Sequence, residues 1–361
     1  MTKKKRFNLI DGLILLLIVA GIVVISYPFV SDAWVSYHNQ QVIDQYQSRE
    51  VKKNKANQQR EYAKYQRANQ KLATEGGTPG VNKFNQAVSN AHETQNASQQ
   101  RRQKILAGET IADIVIPKIG VSLPIYDHTS DWLLQFGACR LDGTSYPTGG
   151  LNTNAVISAH RGVPNAELFT RLPELKQGDR FYIKNGTKTL AYQVVKKVVI
   201  TPTDTDKLKI VPGKDLVTLM TCTPYMINSH RLLVIGKRVP FTKKDQQRAA
   251  WPRWWNKIKL ALVGFATVLI LFLLSRLLRY LIISRKEYQI KIISSVAAEI
   301  TIKRRRKQIL VAEVLPGVPF TKNLAGDRYQ ITIAEKDRVQ KYRAYIKHIR
   351  DQKFTVKRIH K

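Results

Sequence analysis

A cysteine set between two threonines, with an arginine nine residues on, has the parts of an acyl-transfer centre. In TLMTCTPYMINSHRLLVIGKR (residues 218–238), Cys222 ends one apolar run and Arg231 opens the next. Thiolate attack on a carbonyl needs a base or cation to supply the thiolate and a donor for the oxygen that turns negative. Arginine suits the second task because it is always charged and presents a planar set of donors. If the two runs are antiparallel neighbours joined by TPYMINSH, their ends lie together. His160 is the candidate acid and base: it ends TNAVISAH and opens onto a loop, the kind of place where a rigid scaffold holds catalytic side chains. His230 is its rival, but it neighbours Arg231 in an alternating strand, so the two should point to opposite faces. His38 and His92 fall in polar stretches, and His128 lies in the loop-like YDHTSD. Thr221 and Thr223 flank the thiol and either order substrate or pack within the strand.

Positioning these groups requires a rigid frame. After Glu109 come seven short runs rich in β-branched residues: ADIVIPKIG, VSLPIYD, TNAVISAH, DRFYIKN, LAYQVVKKVVITP, LVTLMTCT and HRLLVIGKRV. Gly, Pro, Asn and Asp clusters separate them, which predicts a mainly β catalytic domain over 109–245, closed as a barrel or sandwich. AELFTRLPEL (166–175) is the one clear helical insert, and FGACRLDG, which holds Cys139, reads as a turn.

The chain carries 60 Lys and Arg against 26 Asp and Glu, a formal net charge of +34, in 361 residues. Such an excess points to nucleic acid or to an anionic membrane surface. Two apolar segments decide between them. Residues 10–30 and 258–278 are each about the 20 residues that cross a bilayer. Basic residues 3–6 precede the first, while Arg276, Arg279, Arg285, Lys286 and KRRRK (303–307) follow or close the second. The positive-inside rule then places residues 1–9 and the basic tail 279–361 in the cytoplasm and the catalytic domain outside. The rival reading of the first segment is a signal peptide cleaved at Ser31-Asp32-Ala33. Outside the cell, a Cys139–Cys222 disulfide is the redox alternative to a reactive thiol.

Residues 31–108 read as a helical stalk and linker, interrupted by EGGTPG (75–80), with an Asn/Gln/Ser/Ala-rich stretch up to Arg102. In the tail, IAEKDRVQKYRAYIKHIRDQ is basic and partly amphipathic; it either lies on the inner leaflet or belongs to a solvated domain.

Residues 218–238 closely resemble the signature of sortases, and of their class C, pilin-polymerising branch: TLMTCTPY, then an Asn, then HRLLV. VISAHRGVPNAELFTRLPELKQGDRFYI is similar to the segment carrying that family's histidine. IPKIGVSLPIYD and GTSYPTGG resemble its opening strands, and YPFVSDAWVSYHNQQVIDQY its juxtamembrane helix. The resemblance spans roughly residues 1–280. It implies an eight-stranded sortase-type β-barrel with an N-terminal helical stalk and two transmembrane helices. It further implies Cys222 as nucleophile, His160 as general acid and base, and Arg231 as oxyanion or substrate donor, with no cofactor or metal. The implied partners are secreted pilin or surface proteins with Leu-Pro-x-Thr-Gly-type C-terminal sorting signals, membrane lipid, and an acceptor amine. That amine is a pilin lysine or, in a wall-anchoring relative, a peptidoglycan precursor; nucleic acid is not expected. One departure concerns the lid of that branch: no Asp-Pro-aromatic anchor occurs between Ala73 and Ala112, where EGGTPGVNKF stands instead. A papain-like protease fits less well, because His160 precedes Cys222. A non-enzymatic membrane scaffold would make Cys222 dispensable.

Overall fold

The computed structural model describes residues 9–89, 99–163, 166–305, 307–335 and 338–359. The chain divides into two compact units: residues 25–264, and a second made of residues 1–24 with 265–361.

Within residues 25–264, the eight strands are β1 (Thr110–Ile116), β2 (Val121–Tyr126), β3 (Ala138–Arg140), β4 (Thr153–Ser158), β5 (Arg180–Asn185), β6 (Lys188–Ile200), β7 (Asp215–Thr223) and β8 (His230–Val239). They close into a barrel in the order β1-β2-β3-β4-β7-β8-β6-β5. Seven strands coincide with the seven β-branched runs. The eighth, β3, is the stretch expected to be a turn. At three residues it is too short to show a period, and it owes its place to pairing with β2 on one side and β4 on the other. The barrel interior is filled by Ile114, Ile157, Phe169, Phe181, Leu219 and Val234 among others.

The expected helix over 166–175 is absent. Only a single 3-10 turn forms, at Leu172–Glu174. Leu168 stands at φ 41 and Pro173 lies inside the segment, so an α-helical ladder cannot run through it. Phe169, Leu172 and Leu175 are nevertheless buried, so the insert plugs the barrel as an ordered loop.

The stalk consists of helices α1 (Leu9–Lys52), α2 (Lys55–Glu75), α3 (Val81–Ser89) and α4 (Gln99–Glu109). Asn54 separates the first two by capping α2, its side chain accepting from the Asn57 N–H. Both helices pack on the barrel. Tyr46 donates to the Ile111 carbonyl and accepts from the Gly186 N–H, Asn69 bonds Tyr146 and Thr148, and Tyr65 stacks on Tyr146 with ring centroids 4.5 Å apart. The candidate cleavage site at Ser31-Asp32-Ala33 falls within the uninterrupted helix α1, with Ala33 buried. A short helix α5 (Asp131–Leu134) lies between β2 and β3, and α6 (Lys243–Arg285) follows the barrel. Helices α1 and α6 are long and apolar enough to cross a membrane, with side chains such as Val24, Phe29, Phe265 and Val268 exposed.

The tail after α6 is a folded β structure. Strands β10 (Ala298–Arg304), β11 (Lys307–Val314), β13 (Tyr329–Glu335), β14 (Arg338–Tyr345) and β15 (Thr355–Arg358) form a sheet ordered β11-β10-β13-β14-β15; β9 (Glu287–Ile292) pairs with β12 (Phe320–Ala325). Burial alternates with the period of a strand in EYQIKI, and Tyr288, Ile290, Ile300, Ile302 and Ile331 build a separate core. The amphipathic stretch from Ile333 is therefore the β13–β14 hairpin, with Glu335 opposite Arg338.

Candidate active site

Strand register assembles the site. In the antiparallel β7–β8 pair, Cys222 stands directly opposite Arg231 and Thr223 opposite His230. Directly opposed residues share a face of the sheet, so Cys222 and Arg231 are side-by-side neighbours. On the other flank of β7, β4 runs parallel, with Ser158 opposite Met220. The Ala159 N–H donates to the Met220 carbonyl (3.2 Å), and the Thr221 hydroxyl donates to the Ala159 carbonyl (2.8 Å). His160 thus leaves β4 at the level where Cys222 leaves the core of β7. Its carbonyl accepts from the Phe169 N–H, which ties it to the plug loop.

All three side chains are nearly sealed from solvent: Cys222 is 1 % exposed, His160 and Arg231 each 4 %. Burial pushes the His160 pKa down to about 4, with the charge of Asp131 on α5 acting the other way. Burial also raises the Cys222 thiol pKa, against the lowering influence of Arg231 and Arg161. In this closed arrangement the thiol and the imidazole are both neutral at pH 7. Among the described residues, the buried His160 Nε2 has no hydrogen-bond partner, so no donor or acceptor is committed to it in this arrangement.

Arg231 has its donors engaged. Nη1 donates to the carbonyls of Asn228 (2.8 Å) and His230 (2.9 Å), while Nε and Nη2 donate to the Asn85 Oδ1 at 3.2 and 2.6 Å. The Phe84 ring lies under the guanidinium, 5.6 Å away, and is itself fully buried. Both residues belong to α3, which therefore covers the site. Its approach is pinned by the preceding glycines: the Gly80 N–H donates to the Asp142 carbonyl (2.7 Å), and a Cβ on Gly77 would lie 2.4 Å from the Gly143 oxygen. Lys83 adds an exposed ion pair to Asp142 at 2.9 Å. A cover is thus present without the Asp-Pro-aromatic tripeptide.

Other residues fall outside the cluster or join it unannounced. His230 is exposed and bonds Ser229; His128 faces Glu109 at 3.7 Å on the surface; His38 bonds Gln41 and Gln103. His92 lies outside the described residues. Cys139 is a free thiol like Cys222, sits wholly buried on β3, and has its pKa raised by burial, so no disulfide joins the pair. Thr221 is buried with its hydroxyl on Ala159, whereas the Thr223 Oγ1 accepts from Arg161 at 3.0 Å. Arg161, whose Nη1 also donates to the Cys222 carbonyl at 3.4 Å, is a second cation beside the thiol. Its signal in the sequence is its position directly after His160.

Residues 114–239 match the family described as "Sortase domain". The chain belongs to the sortase family. This sortase is 30 % identical to "Sortase A" of Bacillus anthracis over 149 residues, which are 41 % of this chain and 65 % of that protein. The match therefore spans just under two thirds of that relative's length. Among solved structures it is similar to sortase C-1 of Streptococcus pneumoniae (41 % identity, 56 % of this chain and 100 % of that one, TM-score 0.47). It is likewise similar to sortase C1 of Streptococcus agalactiae (36 % identity, 56 % and 98 %, TM-score 0.47).

Proposed function

We propose that the chain is a membrane-anchored class C cysteine transpeptidase. It cuts a Leu-Pro-x-Thr-Gly-like sorting signal after the threonine and passes the acyl group to an amine, a pilin lysine being the favoured acceptor. The observation that carries this reading is the β7–β8 register, which sets Cys222 opposite Arg231 beside the end of β4, two residues before His160. With α3 displaced, the Cys222 thiol gives its proton to His160 and the sulfur attacks the threonine carbonyl. The tetrahedral oxyanion is met by the guanidinium of Arg231. Collapse breaks the threonine–glycine bond, and imidazolium His160 protonates the departing glycine amine. The thioester then takes up the acceptor amine, whose proton returns through His160 as the Cys222 thiol is restored.

Two apolar helices and the flanking positive charge favour a two-pass arrangement with the barrel outside and both termini in the cytoplasm. The stalk and second span favour polymerisation over wall anchoring. Incubating the protein with a sorting-signal peptide and either a pilin-derived lysine peptide or a peptidoglycan-precursor amine, followed by mass spectrometry, tests both levels. The expected result is an acyl adduct on Cys222 that is resolved as an isopeptide to the lysine. Cleavage retained in Cys222→Ala would reject the enzyme reading, and preference for the precursor amine would replace the polymerising one.

A further inference from the structure

The tail unit holds a cavity of about 750 Å³, and its walls carry Arg276, Arg279, Arg305, Arg328, Arg343 and Lys347. Nothing in the transpeptidase chemistry uses it. Arg276 and Arg279 come from the end of α6, Arg305 from the β10–β11 turn, Arg328 from the β12–β13 turn, and Arg343 and Lys347 from β14 and the residues after it. These elements are drawn together at Gly326. Its N–H donates to the Lys286 carbonyl at 2.9 Å, and a Cβ there would lie 2.1 Å from the Ile283 oxygen, so no other residue lets the turn seat against the helix end.

The charge in this cavity is not balanced from within. Asp327 is the one carboxylate of the lining among the described residues, and it is engaged by the Arg304 guanidinium and the Arg328 N–H. Among the described residues, none of the six cations has a carboxylate within ion-pair distance. Arg279 donates to the Lys347 carbonyl, and Arg276 lies over the Phe272 ring at 6.0 Å. Residues 276–361 carry 22 Lys and Arg against 7 Asp and Glu, so the wider surface adds to the local positive potential rather than cancelling it. Six like charges converging on one cavity repel unless an anion enters.

The depth of the cavity selects the anion. Arg276 is the first charge after sixteen uncharged residues of α6, a rise of about 25 Å from Lys259. Long basic side chains at such a position reach toward the headgroup layer. We infer that the cavity binds the phosphate-bearing headgroup of an anionic phospholipid, with Arg279 and Arg343 as its principal contacts, clamping the tail unit to the inner leaflet. Guanidinium groups suit this role because their paired N–H donors match phosphate oxygens. The inference does not depend on the transpeptidase chemistry and concerns a different unit of the chain, but its placement at the inner leaflet rests on the two-pass orientation proposed above.

Native mass spectrometry of the full chain in neutral detergent tests it, with dioleoylphosphatidylglycerol and dioleoylphosphatidylcholine as probes sharing the same acyl chains. Phosphatidylglycerol should be retained at roughly tenfold lower concentration than phosphatidylcholine, and Arg279→Gln with Arg343→Gln should erase about that factor. Lys291→Gln with Lys322→Gln removes equal charge from β9 and β12 outside the lining and should leave retention unchanged. If the pocket double variant fails to fold, Arg328→Gln on its exposed turn should show the same loss at smaller amplitude. Equal retention of the two lipids, equal loss in both double variants, or displacement of phosphatidylglycerol by inorganic phosphate or by an oligonucleotide would each overturn the proposal.

Discussion

Arg231 and the arginines of the tail cavity are the same residue type in opposite conditions. Arg231 is buried, and its donors meet two backbone carbonyls and the Asn85 amide oxygen. The tail arginines are exposed and meet no carboxylate among the described residues. A buried cation without partners is costly, so an arginine proposed to receive an oxyanion needs an interim acceptor until substrate arrives. A neutral amide on a short helix suits this purpose: it satisfies the donors, and its withdrawal would leave no second charge behind. The tail cluster, open to solvent, needs no interim acceptor and presents its charge continuously. The first arrangement suits a site that must open, and the second a site that is permanently available.

The largest test of the contrast lies in the chemistry. Cys222→Ala should abolish acyl-enzyme formation. Arg231→Lys keeps the charge but loses the planar fork and should cost about 10²–10³-fold in kcat toward a sorting-signal peptide. Comparable turnover by Arg231→Lys would mean that charge alone suffices and would remove the guanidinium from the oxyanion step.

Next in size is the release of Arg231. Hydrogen bonds to a charged group contribute about 1.5–3 kcal/mol. Asn85→Ala should therefore raise the open population, and with it the rate of Cys222 alkylation by a small thiol reagent, by roughly ten- to hundredfold. An unchanged alkylation rate would show that α3 is held by its apolar contacts through Phe84 and not by the arginine.

The pH dependence of closure follows from the same burial. His160 is held below its ordinary value of 6.5, at about 4. As pH falls through 6.5, a solvated imidazole in the open state takes a proton that the closed state refuses, and closure weakens. The Cys222 thiol is held above its ordinary 9.0, so rising pH ionises the open thiol first and weakens closure at the alkaline end. Opening free energies of α3, from hydrogen exchange corrected for its intrinsic pH dependence, should be greatest between about pH 6.5 and 9. A maximum below pH 6 would contradict a neutral buried His160.

How much of this was legible in the sequence depends on the range of the interaction. Seven strands, the β7–β8 hairpin and the exclusion of His230 follow from local alternation, because a period of two declares itself within six residues. Strand β3 does not, since Ala138–Arg140 is extended only through its neighbours. The tail strands were obscured by basic residues on the solvent face, which imitate the polar face of an amphipathic helix. The cover on the site was the least legible part. Asn85 and Arg231 are 146 residues apart, and no periodicity links an asparagine in a polar stretch to an arginine in a distant strand.

The smallest effect concerns Thr221, which has a place in neither arginine arrangement but fixes the frame for one. Its hydroxyl joins β7 to the Ala159 carbonyl, one residue before His160. A neutral hydrogen bond of this kind contributes about 1 kcal/mol, so Thr221→Val should lower the stability of the barrel unit by about that amount in urea unfolding. Because Ala159 and His160 are adjacent, the same change should reduce kcat more than KM, and Thr221→Ser, which keeps the hydroxyl, should restore kcat. If serine restores stability but not kcat, the methyl group rather than the hydrogen bond sets the imidazole, and packing within the strand becomes the role of this threonine.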